Sequence, residues 1–71
     1  MMEIEWIDGF TIEVKNEGGD TVVISANREG LLSLAKQLTA LADEPVGHHI
    51  HYDAYNSLEE GSVEMIIEKI Q

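Results

Sequence analysis

The chain has 71 residues, of which fourteen are acidic and four are basic, so its formal net charge at pH 7 is −10. This balance argues against direct binding to nucleic acid, because every phosphate contact would form against the protein's own negative field. The length predicts a single domain over residues 1–71, near the size at which one core gives only a few kcal/mol of net stability.

Composition also bears on the compartment. The sequence contains no cysteine, so no disulfide can stabilise the fold. The N-terminal residues lack the basic and apolar segments of a signal peptide, and no apolar run reaches membrane-spanning length. We therefore expect a cytoplasmic protein that makes no contact with a membrane. Its acidic surface either keeps a small domain soluble or attracts a basic partner.

Three strands are predicted in the first third of the chain. Apolar and polar residues alternate over 2–6 and again over 10–15, and a third apolar run covers 21–25 without a clear register. A three-residue loop, Ile7–Gly9 with Gly9 left-handed, keeps the apolar residues of the first two strands on one face. This pairing sets Glu3 opposite Glu13, with Glu5 on the diagonal, which predicts an acidic solvent face that is either well hydrated or open to positive charge.

The longest predicted element is a helix over 27–43. Asn27, or Ser25 before it, provides an N-cap oxygen, and Pro45 ends the helix. Leucines at 31, 34, 38 and 41 form an apolar stripe that we expect to pack on the sheet, with Ser33, Lys36, Gln37 and Thr39 in water. Arg28 lies in the first turn, where the helix dipole disfavours a cation, so it is expected to pair with a carboxylate such as Asp53 or Glu59.

Two further strands follow, over 48–52 and 63–70. The connection between them contains a capping-box pattern from Ser57 to Glu60, which predicts one helical turn closed by Gly61. These elements predict an α+β fold with a five-stranded, mainly antiparallel sheet (β-β-β-α-β-β) and one long helix packed on one face. The predicted strand order along the sheet is 3-2-1-5-4.

A row of polar residues on the fourth strand raises the question of a metal site. His49, His51 and Asp53 recur at period two, and two imidazoles with a carboxylate are a ligand set for zinc or a similar metal such as nickel. A single strand gives a row rather than a closed shell, so a fourth ligand would have to come from Glu64 or Glu68. An exposed polar strand face without a metal or any other cofactor is the favoured interpretation.

No motif predicts an enzyme. There is no cysteine nucleophile and no serine in a G-x-S-x-G context, and Gly18-Gly19 is followed by no phosphate-binding helix start. Tyr55 and Asn56 are more informative, because an aromatic residue in a polar loop either anchors the loop or contacts a partner.

Three segments resemble a family of small bacterial immunity proteins of polymorphic toxin systems, the one numbered thirty-two. They are Asn27-Arg28-Glu29-Gly30-Leu31, then His49-Ile50-His51-Tyr52-Asp53, then Tyr55-Asn56-Ser57-Leu58-Glu59-Glu60-Gly61-Ser62. The resemblance covers most of the chain from the third strand onward. It implies a non-enzymatic protein that binds and neutralises a cognate toxin, and many such toxins are basic.

These observations predict a small acidic inhibitor that covers a basic surface of a protein toxin. The residues expected to bind the partner are Glu3, Glu5, Glu13, Tyr55, Asn56, Glu64 and Glu68, with Ile66 and Ile70 as an apolar patch among the acids. Two alternatives stay open. One is a metal-binding domain centred on His49, His51 and Asp53, and the other is a homodimer that associates through an exposed sheet face or edge.

Overall fold

The computed structural model describes residues 4–71 and contains one helix and four strands there. In chain order they are β1 (Ile12–Asn16), β2 (Val22–Ala26), α1 (Arg28–Ala42), β3 (His49–Tyr52) and β4 (Met65–Glu68). The strands form two separate two-stranded antiparallel sheets, β1-β2 and β3-β4. The predicted mixture of helix and strands is present, but the predicted five-stranded sheet is wrong.

The missing strand is the first one. Residues 4–11 contain no strand, and Met2 and Glu3 of the predicted strand lie outside the described residues. Gly9 is left-handed as predicted (φ +87°), but the Phe10 N–H donates to the Ile7 carbonyl at 3.1 Å, so the turn has two central residues, Asp8 and Gly9, instead of the predicted three. The segment before it contacts the helix instead of β1, since the Ile7 N–H donates to Ser33 Oγ at 2.9 Å. Its backbone therefore finds hydrogen bonds without a strand partner.

The β1-β2 sheet settles the register that the sequence left open. Val14 lies opposite Ile24 and Ile12 lies opposite Ala26. Directly opposed residues of an antiparallel pair share one face, so Val22, Ile24 and Ala26 are on the same face as the buried side chains of Ile12 and Val14.

Helix α1 begins at the predicted cap. Asn27 Oδ1 accepts hydrogen bonds from the N–H groups of Gly30 (2.8 Å) and Thr11 (3.0 Å), and Asn27 Nδ2 donates to the Gly9 carbonyl at 2.8 Å. The same side chain thus satisfies an orphan donor of the first helical turn and fixes the chain that enters β1.

The helix presents a different face from the predicted one. Its buried residues are Gly30, Ser33, Gln37 and Leu41. Leu31 is 56% exposed and Leu38 is 42% exposed. The predicted packing is therefore wrong for Leu31 and Leu38, although Leu41 is buried and Leu34 packs against the core. Burial of the two polar side chains is explained by hydrogen bonds, which remove most of the cost of desolvating an amide and a hydroxyl.

A glycine allows this approach of helix to sheet. A Cβ at position 30 would lie 2.6 Å from the Thr11 carbonyl oxygen and 2.9 Å from Ile12 Cγ1. Any side chain there would push α1 away from β1, so the backbone of the helix packs directly on the strand.

The second sheet connects to the first through the segment before β4. The Glu59 N–H donates to the Ile12 carbonyl and the Val63 N–H to the Val14 carbonyl, both at 2.9 Å. Residues 59–63 therefore lie along one edge of β1, and β2 lies along the other. The buried hydrophobic core spans both sheets, and its members are Ile12, Val14, Leu41, Ile50, Tyr52 and Leu58.

Among residues 4–71, no helix combines the length and the apolar character needed to cross a membrane.

Candidate functional site

The loop between β3 and β4 presents an aromatic side chain to solvent. Tyr55 is 100% exposed. The loop is fixed from within, because Asp53 Oδ1 accepts hydrogen bonds from the N–H groups of Tyr55 (2.9 Å) and Asn56 (3.0 Å). The Asp53 carbonyl also accepts from the N–H groups of Ser57 (3.0 Å) and Leu58 (2.8 Å). A defined turn over 54–57 thus takes the place of the helical turn predicted at Ser57–Glu60, while Gly61 is left-handed as predicted (φ +89°).

Tyr55 borders an acidic hollow. This open hollow of about 730 Å³ is lined by Asp53, Ala54, Tyr55, Glu60, Gly61, Ser62 and Glu64. Three of its lining residues are acidic and none is basic. We call Tyr55 together with Asp53, Glu60 and Glu64 the Tyr55 surface. Carboxylates around a hollow beside an aromatic ring form a favourable site for a lysine or arginine side chain of another molecule.

The adjoining strands continue this surface with polar side chains. His49 lies opposite Glu68, and His51 lies opposite Ile66, which is exposed. His51 Nδ1 lies 3.6 Å from a carboxylate oxygen of Glu64, an ion pair only when the imidazole is protonated. Of the residues predicted to bind a partner, Tyr55, Asn56 and Glu64 thus lie next to the β3-β4 sheet, which also carries Glu68.

The N-terminal acids are arranged differently from the prediction. Glu13 lies opposite Ser25 rather than a glutamate, and a carboxylate oxygen lies 3.6 Å from Lys15 Nζ. The carbonyl of Glu5 accepts a hydrogen bond from Gln37 Nε2 at 2.7 Å, so Glu5 lies beside α1 and does not pair with Glu13. Glu3 lies outside the described residues. Within the described part of the chain, Glu5 and Glu13 thus do not share the acidic hairpin face expected from the sequence.

The histidines do not form a ligand shell with Asp53 as the structure stands. The imidazole rings of His49 and His51 are 4.9 Å apart, but the Asp53 carboxylate already accepts two backbone N–H groups. Within residues 4–71, no group of three or more histidine, aspartate or glutamate side chains is placed to hold a metal ion. A metal site at His49, His51 and Asp53 stays the alternative hypothesis, which titration with zinc or nickel tests.

Arg28 also differs from expectation. Its guanidinium lies 3.8 Å from a carboxylate oxygen of the neighbouring Glu29 rather than beside Asp53 or Glu59, and its side chain is 79% exposed. One acidic residue that lines the hollow, Glu60, was not among the site residues predicted from the sequence. Glu60 was interpreted as part of a capping box and not as a binding residue. Its position between Glu59 and a left-handed Gly61 nevertheless indicates an exposed turn.

Comparison with known protein families shows to which family the chain belongs. The sequence model of the family described as Immunity protein 32 matches residues 21–70, well over half of the chain. The chain belongs to the Immunity protein 32 family. This match confirms the resemblance seen in the sequence and supports an immunity-protein role. Comparisons with curated proteins and with solved structures gave no match. The region that matches Immunity protein 32 contains the whole Tyr55 surface, whereas Glu5 and Glu13 lie before it.

Proposed function

We propose that this Immunity protein 32 member neutralises a basic protein toxin by binding it through the Tyr55 surface. The observation that carries the proposal is the complete exposure of Tyr55 on a loop whose backbone is fixed by hydrogen bonds. A tyrosine so placed presents a large, rigid contact area and loses little conformational entropy on binding, which is why tyrosine is enriched among the residues that dominate interface energies.

The charges around Tyr55 favour a cationic partner. Asp53, Glu60 and Glu64 line the hollow beside the ring, and the whole chain carries a net charge of −10. The net charge accelerates encounter with a basic protein over long range, while the hollow supplies short-range ion pairs and a cation–π contact for a lysine or arginine. Complementary charge of this kind raises the association rate more than it lowers the dissociation rate.

Neutralisation then follows from coverage rather than from chemistry on the toxin. A toxin that acts on an anionic substrate needs an accessible basic surface, and an acidic protein bound there excludes the substrate. The proposed role therefore requires neither a nucleophile nor a cofactor of the immunity protein itself.

The first experiment measures affinity for the toxin encoded beside the gene of this protein, together with protection of cells that express that toxin. We expect Tyr55→Ala to weaken binding about thirtyfold, since a central aromatic residue of an interface contributes about 2 kcal/mol or more. Val46→Ala is the matched control, because Val46 is an exposed apolar residue outside the Tyr55 surface. An unchanged affinity of the Tyr55→Ala variant would contradict the proposed surface.

A second experiment separates local charge from net charge. Two double variants are compared. One carries Glu60→Lys with Glu64→Lys, the other carries Glu5→Lys with Glu13→Lys, and both change the net charge by the same amount. We expect only the first pair to reduce the association rate strongly and to flatten its dependence on salt. A larger effect of the second pair would move the docking site to the N-terminal acids predicted from the sequence, and would show that the Tyr55 surface is not the contact.

A further inference from the structure

A separate surface lies at the outer edge of β2. The Asn27 N–H donates to the Thr11 carbonyl at 3.1 Å and the Glu17 N–H to the Thr21 carbonyl at 2.9 Å, so odd-numbered residues of β2 bond to β1. Hydrogen bonding alternates along an antiparallel pair, and the even-numbered residues therefore direct their N–H and carbonyl groups outward. Within residues 4–71, no other strand pairs with this edge. The outward groups belong to Val22, Ile24 and Ala26.

This edge carries none of the features that normally keep strand edges apart. Residues 21–26 include no charged residue and no proline, although the chain as a whole is strongly acidic. Val22 is 59% exposed and Ile24 is 45% exposed. Native proteins usually protect a free edge with charge, proline or a bulge, so an uncharged edge of β-branched residues is typical of a strand that pairs with another chain.

The helix has exposed apolar side chains on the flank away from the N-terminal segment. Ser33 is on the flank of α1 that bonds to the N-terminal segment. Leu31 and Leu38, at a spacing of seven residues, lie on the opposite flank and are exposed. Val22 and Ile24 are on the helix side of their sheet, as their pairing with β1 requires. We call these four residues and the outer edge of β2 the β2 edge surface.

We propose that the β2 edge surface binds the same surface of a second copy of this chain, with the two β2 strands antiparallel. The outward-directed N–H and carbonyl groups of one β2 strand must bond to those of the other, so even-numbered residues of one copy lie opposite even-numbered residues of the second copy. In an antiparallel pair, residues so opposed have the same face, and both copies of α1 therefore lie on one side of a continuous four-stranded sheet. The exposed leucines of each helix then contribute to one apolar core between the copies.

The charged residues at the ends of β2 favour one register of the paired strands and favour a second copy of the chain as the partner. When Ile24 lies opposite Ile24 of the second copy, Val22 lies opposite Ala26. Asp20 precedes β2 and Arg28 follows it, so Asp20 of one copy and Arg28 of the other then meet at the same end of the paired strands. The two-fold axis forms that ion pair twice, once at each end of the paired strands. Arg28 is one of four basic residues in the chain, its side chain is exposed, and among residues 4–71 its guanidinium forms a 3.8 Å ion pair with Glu29. Its unfavourable position in the first helical turn is explained by this pairing, which a toxin strand would not supply by symmetry.

The inference is independent of the proposed function. Strand β1 and residues 59–63 separate β2 from the loop that carries Tyr55. Each copy in the dimer therefore keeps a free Tyr55 surface, and a dimer can bind two toxin molecules.

Sedimentation equilibrium over a range of protein concentrations tests the register. Either single variant, Asp20→Arg or Arg28→Asp, places like charges together at both ends of the paired β2 strands. We expect each change alone to raise the dimer dissociation constant about tenfold. The double variant Asp20→Arg with Arg28→Asp re-forms the pairs in reverse and should return close to the wild-type value. Asp43→Arg, which alters charge on a residue outside the β2 edge surface, serves as the control. A wild-type protein that stays monomeric, or a double variant as weak as the single variants, overturns the proposal.

A second variant tests the edge itself. Ile24→Lys places a charge at the centre of the pairing, and we expect a monomer that keeps the helical circular dichroism and the toxin affinity of the wild type. Val46→Lys introduces the same side chain at an exposed position elsewhere and should leave the dimer intact. A dimer that persists in Ile24→Lys would show that the copies associate through another surface.

Discussion

Two buried polar side chains link helix α1 to β3, the strand that precedes the loop with Tyr55, and their substitution gives the sharpest test of the fold. Gln37 is 1% exposed and Tyr52 is fully buried. Gln37 Oε1 accepts a hydrogen bond from the Tyr52 hydroxyl at 2.7 Å, and Gln37 Nε2 donates to the Glu5 carbonyl at 2.7 Å. One amide therefore connects α1 to β3 and to the N-terminal segment.

The expected energies follow from which groups lose a partner. Tyr52→Phe leaves the Gln37 oxygen buried without a donor, which costs about 1–3 kcal/mol. Gln37→Leu leaves both the Tyr52 hydroxyl and the Glu5 carbonyl unpaired, and we expect about 2–4 kcal/mol. In the double variant an apolar ring meets an apolar side chain, so the loss should be smaller than the sum of the two by about 1–2 kcal/mol.

Urea denaturation measures this coupling. Trp6 is the only tryptophan of the chain, and its ring centroid lies 6.2 Å from that of Tyr52, so its fluorescence reports on the site directly. Each variant is compared with the wild type by the free energy of unfolding extrapolated to water. Additive losses in the double variant would refute the hydrogen-bonded contact between Gln37 and Tyr52.

Three further predictions concern pH, packing and metal. Burial raises the pKa of Tyr52 from 10.0 to about 12. The folded state therefore holds this proton more tightly, and stability that is full below pH 10 should fall by about 2–3 kcal/mol between pH 10 and 12. An equal alkaline loss in Tyr52→Phe, measured by urea unfolding at several pH values, would exclude this origin. Gly30→Ala should lower the melting temperature, because the added methyl group forces α1 away from β1. The cost of about 1–3 kcal/mol exceeds the gain in helix propensity of about 1 kcal/mol. A raised melting temperature would contradict the close approach of α1 to β1. Calorimetric titration with zinc should give no saturable binding at micromolar metal, and saturable binding that is lost in His51→Ala would establish the metal site instead.

Local signals in the sequence located most elements well. The cap at Asn27, the left-handed turns at Gly9 and Gly61, and the strand of alternating residues through Ile50 and Tyr52 all have their cause within a few neighbouring residues. Such causes can be read from sequence, because hydrogen bonding of a cap or the φ of a glycine depends on the local chain.

The two large errors come from long-range contacts. Periodicity assigned Leu31 and Leu38 to the core, whereas Ser33 and Gln37 are buried in their place. A hydrophobicity pattern counts a buried amide as a penalty and cannot include hydrogen-bond partners that lie 15 and 32 residues away. Gln37 is favoured in the core because its hydrogen bonds to Tyr52 and to the Glu5 carbonyl satisfy it.

Long-range contacts also explain why the first predicted strand does not form. Alternation over residues 2–6 is consistent with a strand, but the N-terminal segment finds backbone partners in the side chains of α1. Without that strand, Glu5 and Glu13 no longer form a common face. The conformation of the loop with Tyr55, by contrast, depends on a local turn around Asp53.

The helix error leaves apolar side chains exposed. A helix that buries Ser33 and Gln37 turns Leu31 and Leu38 outward, on the flank away from the N-terminal segment, and the outer edge of β2 carries no charge. In a chain of net charge −10, association of two copies works against electrostatic repulsion, whereas association with a basic toxin is helped by it. Salt screens both terms. Rising ionic strength should therefore strengthen the pairing of two copies through β2 and weaken the binding of toxin to the Tyr55 surface, so that opposite salt dependences identify which of the two surfaces an observed complex uses.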